Sequence, residues 1–82
     1  MNTKNNIHKD VLISKLGQRE IQIFEMLSKG KKNSQIAMEL SLKPNTISTI
    51  KKIIYRKLKV SSTLEFYKFV FHLNENQDNV QI

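Results

Sequence analysis

The 82-residue chain has no cysteine, no tryptophan, one proline, two glycines and seven acidic residues against fourteen basic ones. Without cysteine, neither disulfides nor thiolate metal ligands can hold the fold. The two histidines, His8 and His72, lie near opposite ends and are expected to face solvent, so no metal site is expected. Gly17 and Gly30 stand apart and form no phosphate-cradling loop. The acids are scattered and compose no recognisable general acid–base pair. The expectation is a non-enzyme that needs no cofactor. No apolar run reaches the roughly 20 residues that span a bilayer. Residues 1–10 are polar, and the first apolar cluster, Val11-Leu12-Ile13, is too short for a secretory signal core. A cytoplasmic location without a membrane partner follows as the expectation.

What is present is positive charge, unevenly placed. The net charge is +7, and nine of the fourteen basic residues lie between Lys29 and Lys59, where Glu39 is the only acid. A charge kept for solubility mixes its signs. Segregation of this kind points to a face that meets a polyanion. The length suits one small domain, which without staples must pack regular helices closely. Residues 1–10 and 74–82 read as flexible polar tails around a domain at residues 11–73.

Periodicity divides that domain into four helices. The first is expected from about Gly17 to Ser28: Glu20 can reach back to its start, Ile23, Phe24 and Leu27 share one face, and Gly30 supplies a left-handed stop. Residues 11–15 form a turn or short helix before it. The second, Asn33 to Leu40, buries Ile36, Ala37 and Leu40, with Ala37 small enough to admit another helix closely. Pro44 then opens the third, to about Leu58, because proline is tolerated at a helix start and not in its interior. Ile47, Ile50, Ile54 and Leu58 fall on one narrow stripe of it, opposite Asn45, Ser48, Thr49, Lys52, Tyr55, Arg56 and Lys59. The many β-branched residues here favour a strand locally, but the helical period with a proline start outweighs that preference. The fourth helix starts at Ser62 with Glu65 completing a Ser-x-x-Glu capping box, and runs to about Leu73.

Two helices joined by a tight turn, the second polar and basic on its outer side, are the ingredients of a helix-turn-helix. The major groove of B-DNA accepts one helix, and its base edges match short polar side chains and lysine. Flanking phosphates match lysine and arginine. The third helix has that order: short polar groups in its first two turns, longer cations after them.

Leu16-Gly17-Gln18-Arg19-Glu20, Gly30, Ile36-Ala37, Leu40-Ser41-Leu42, Thr46-Ile47-Ser48-Thr49 and Lys57-Leu58-Lys59-Val60 together resemble the LuxR/GerE-type DNA-binding domain, which also closes response regulators of the NarL kind. The resemblance spans about residues 16–73. It implies an all-α, four-helix helix-turn-helix domain whose third helix is the recognition helix and whose fourth often forms a dimer contact. By position it implies Ser48, Thr49 and Lys52 toward bases, and Thr46, Lys51, Lys57, Lys32 and Asn33 toward the phosphate backbone. Asn45 joins the base-facing group, and Arg56 and Lys59 the phosphate-facing group, from the helical wheel alone. Gly17 stands where the family usually has Ser or Thr, Lys32 and Lys43 replace capping hydroxyls, and Ile50 takes a position that is often His or Tyr.

The fourth helix is apolar most of the way round. Leu64 and part of the stretch from Phe66 to Val70 are expected to cover the core. Some of Phe66, Tyr67, Phe69, Val70 and Phe71 must then remain exposed or meet a partner, and a homodimer on DNA through Tyr67, Phe69, Val70 and Phe71 is the expected arrangement. The expectation is thus sequence-specific binding of double-stranded DNA by a transcriptional regulator or its C-terminal domain, with RNA polymerase as a further contact. A phospho-acceptor domain does not fit in 82 residues. Two alternatives stand beside it: a module like sigma-factor region 4, acting with RNA polymerase, and an antagonist that pairs through the fourth helix.

Overall fold

The computed structural model describes residues 9–81, with side chains for residues 9–73. Its described part contains α1 (residues 9–14), α2 (Gln18–Ser28), α3 (Asn33–Leu40), α4 (Pro44–Leu58) and α5 (Thr63–Gln81), and no strand. The four helices expected from periodicity are α2 to α5, so the expected recognition helix is α4. Residues 11–15 resolve into the short helix α1. Of the expected tails, residues 1–8 and 82 lie outside the described residues. Lys9 and Asp10 open α1. The backbone of α5 continues to Gln81 instead of stopping near Leu73. Neither glycine nor proline follows Ser62, so nothing interrupts the hydrogen-bond ladder.

Local chemistry sets the helix starts. Gly17 has no side chain to cap α2, but its N–H donates to Glu20 Oε1 at 3.0 Å. At α3 the Lys32 N–H donates to Gln35 Oε1 at 2.9 Å. Each supplies the reciprocal half of a capping box, from the third residue of the helix back to its cap. At α5 the box is shifted. Ser62 Oγ accepts from the Glu65 N–H at 3.2 Å, whereas Glu65 Oε1 accepts from the N–H of Ser61 at 2.8 Å, one residue earlier than expected.

The ends of α2, α3 and α4 share one device. Gly30, Ser41 and Lys59 adopt positive φ of 85°, 57° and 60°. The next N–H in each case reaches back five residues: Lys31 to Met26, Leu42 to Ala37 and Val60 to Tyr55, at 3.2, 2.8 and 3.0 Å. This is the Schellman arrangement, which satisfies carbonyls that the helix leaves open. It also drops Leu42 and Val60 against the core.

The core collects Leu12 and Leu16 from α1 and its turn, Ile23, Phe24 and Leu27 from α2, Ile36 and Ala37 from α3, Ile47, Ile54 and Leu58 from α4, and Phe66 and Phe69 from α5. α4 is the hub, with α3 and α2 both packed on it. Ala37, 2% exposed, allows the close approach of α3. Phe66 centres an aromatic cluster, stacked on Tyr55 at 5.3 Å and edge-on to Phe24 at 5.7 Å, and this stacking draws Tyr55, expected on the outward face of α4, partly into the core. No buried polar side-chain atom lacks a partner among the described residues.

Candidate nucleic-acid interface

The order of side chains along α4 decides what it shows to solvent. Ile47, Ile54 and Leu58 are buried to 1% or less, and Ile50 packs at the edge of the core. The opposite side therefore faces outward, and Asn45, Thr46, Thr49, Lys52, Arg56 and Lys59 are all exposed. Asn45, Thr49, Lys52 and Arg56 follow at intervals of four, three and four, which aligns them along one helical face. Lys52, Arg56, Lys59 and Lys32 make no side-chain hydrogen bond or ion pair among the described residues.

The remaining predicted residues are more engaged. Ser48 is half-buried at the flank of this face, and its Oγ accepts from Asn33 Nδ2 at 3.1 Å across the α3–α4 junction. Thr49 Oγ1 donates to the Asn45 carbonyl at 3.1 Å. Lys51 Nζ lies 5.6 Å from the centre of the Tyr55 ring, so a cation–π contact holds this cation beside the cleft rather than leaving it free. Asn33, Ser48, Lys51, Lys52, Tyr55 and residues 61–63 line an open cleft of about 350 Å³. The hydroxyls of residues 61–63 were not among the expected site residues. Their place in the cleft depends on how α5 returns across α4, which no local signal encodes.

Lys57 departs most from its expected surroundings. Its Nζ sits 2.8 Å from Glu20 Oε1 and donates to the Lys15 carbonyl at 3.2 Å, tying α4 to the α1–α2 turn. The Lys57 ammonium, helped by the Gly17 N–H, holds the Glu20 carboxyl below the usual carboxylate range. Glu39, the one acid of the basic stretch, is paired with Lys31 at 2.8 Å. Glu39 and Glu20 are thereby each engaged by a lysine, and Lys52, Arg56 and Lys59 form no ion pair among the described residues. Two hydrogen bonds from Ser61 likewise lower the Glu65 carboxyl.

On α5 the expected partner-facing set divides. Phe69 is 7% exposed and belongs to the core, and Val70 packs against it. Tyr67 and Phe71 are 42% and 61% exposed. Leu64, expected to cover the core, is 65% exposed and joins them. The cause is geometric. Phe66 and Phe69 point inward, so Leu64 and Phe71 lie on the far side, and Tyr67 lies at its edge, with its hydroxyl donating to the Leu27 carbonyl at 3.4 Å. His72 is exposed, as expected, with its ring 5.8 Å from that of Phe71; His8 lies outside the described residues.

A short helix, a three-residue turn with a left-handed start, and a longer helix seated on the first with a cationic outer face define a helix-turn-helix domain. The chain matches the family of bacterial regulatory proteins, luxR family, over residues 14–70, and it belongs to that family. The response regulator UvrY of Escherichia coli strain K12 and that of Shigella flexneri are each 34% identical to it over 50 residues, covering 61% of this chain. The aligned part amounts to 23% of each relative, so the chain spans less than a quarter of these curated proteins. No solved structure gives a significant match.

Proposed function

We propose that this chain is the DNA-binding part of a transcriptional regulator, inserting α4 into the major groove of double-stranded DNA. One observation carries the reading: the exposed line of Asn45, Thr49, Lys52 and Arg56, opposite the buried isoleucines, with its two cations in no ion pair among the described residues. Ser48, Thr49, Lys52 and Asn45 face base edges; Lys32, Asn33, Thr46, Lys51, Arg56 and Lys59 flank them toward phosphates. Lys57, engaged with Glu20 and the Lys15 carbonyl, holds α4 to the α1–α2 turn and is not counted among the phosphate contacts. Two copies pair on DNA through Leu64, Tyr67 and Phe71, placing two α4 helices in successive major grooves about 34 Å apart. The setting is cytoplasmic and any polymerase contact secondary.

Fluorescence anisotropy on duplex DNA at several salt concentrations tests this. Neutralising five or six phosphates per subunit gives a slope of log affinity on log salt near −5. A slope near zero refutes the reading and favours an interaction module that pairs through α5 without touching DNA.

A further inference from the structure

The neighbouring hydroxyls of Ser48 and Thr49 are held in opposite hydrogen-bonding states. A serine or threonine hydroxyl carries one donated proton and two acceptor lone pairs. Ser48 Oγ receives the amide proton of Asn33 at 3.1 Å, and its own O–H donates to nothing among the described residues. Thr49 Oγ1 has the reverse arrangement, since its proton is committed to the Asn45 carbonyl at 3.1 Å and its lone pairs remain. Thr49 is exposed and Ser48 half-buried beside the cleft, so both remaining valences are open to a ligand.

We infer that α4 presents a donor at Ser48 and an acceptor at Thr49, so that Ser48 selects an acceptor atom of the nucleic acid and Thr49 selects an exocyclic amino group. The inference rests on the DNA-binding reading above and adds its polarity. In the major groove the acceptors are purine N7, guanine O6 and thymine O4, and the amino donors are adenine N6 and cytosine N4. A phosphate oxygen offers Ser48 the same acceptor chemistry. Asn33, besides its place toward the phosphates, then also positions Ser48. It sits on another helix and acts through Ser48 by occupying a lone pair that would otherwise let the hydroxyl turn. Without it, the serine proton can fold back onto the carbonyl four residues earlier, as hydroxyls within helices often do.

The test uses the 82-residue chain and a duplex selected by it from a random pool. Affinity is measured while bases in the duplex are replaced singly by analogues lacking N7, O6 or O4, by analogues lacking the amino group, and while phosphates are replaced singly by methylphosphonates. One acceptor deletion should weaken wild-type binding about 3- to 10-fold, the scale of one hydrogen bond, and have no effect on Ser48→Ala. If that deletion is a base analogue the acceptor is a base edge; if it is a methylphosphonate, the acceptor is the backbone. One amino deletion should weaken wild type similarly and leave Thr49→Val, which keeps the shape, unchanged. Asn33→Ala should lose the Ser48-dependent discrimination while retaining thermal stability. A Ser48 dependence on amino deletion, or analogue effects that ignore both hydroxyls, overturns the inference alone. Failure of the chain to retain any duplex overturns it together with the DNA-binding reading.

Discussion

Removing the Lys57 ammonium should destabilise the domain more than it weakens DNA binding. In Lys57→Met the aliphatic stem remains, so the loss is confined to the ion pair with Glu20 at 2.8 Å and the hydrogen bond to the Lys15 carbonyl at 3.2 Å. The two side chains are 36% and 19% exposed, which places the pair between a solvated surface bridge and a buried one. Exposed pairs contribute about 0.2–1 kcal/mol and breaking buried ones costs about 3–5 kcal/mol, so after solvent screening the expected coupling is about 1 kcal/mol. With the carbonyl contact, Lys57→Met should cost about 1–2 kcal/mol, and each of these lowers Tm by about 4–8 °C in a domain of this size. Denaturation of wild type, Glu20→Gln, Lys57→Met and the double variant isolates the pairwise part. The pH dependence has a definite sign. Glu20 is held below its usual value of 4.5 in the folded state, so the pair contributes fully above that pH and fades as pH falls through the folded value. The stability difference between wild type and Glu20→Gln should therefore be constant at neutral pH and shrink below about pH 4.5. If Lys57→Met instead leaves Tm intact and reduces the salt slope of DNA binding by about one, the lysine is a phosphate contact and the reasoning fails.

Three further outcomes follow from the fold. Ser41→Gly should stabilise the domain by about 0.5–1 kcal/mol in thermal unfolding, since Ser41 holds a left-handed φ of 57° that glycine adopts without strain. Phe66→Ala should cost about 3–5 kcal/mol and leave little folded protein by circular dichroism, whereas Leu64→Ala, at a site 65% exposed, should change Tm by under about 2 °C. Phe71→Glu should leave monomer stability near wild type but abolish cooperative two-site binding on a DNA carrying both half-sites, measured by gel retardation; cooperativity that survives would exclude α5 as the pairing face.

Much of this was readable along the chain because helices are written in local terms. The Ile47, Ile54 and Leu58 spacing required α4 to bury one side, and Pro44 required it to begin there. With that side fixed, the outward position of Asn45, Thr49, Lys52 and Arg56 followed without knowledge of any partner element. Gly30 announced the end of α2 by its own conformational freedom. The equivalent turns at Ser41 and Lys59 carry no such signal, because ordinary residues are held there by hydrogen bonds that only the finished helix provides.

Contacts between distant segments have no such local signature. Glu20 and Lys57 are 37 residues apart, and Asn33 and Ser48 are 15 apart, so both pairings depend on how α2 and α3 seat on α4. Which of the apolar residues of α5 are covered also turned on its rotation against the core, which put Phe69 inside and left Leu64 out. Periodicity along one helix specifies which side chains share a face. Where apolar residues run most of the way round a helix, as on α5, only packing between helices specifies which of them are buried, and it alone specifies which polar groups become partners, because those energies depend on contacts that sequence order does not contain.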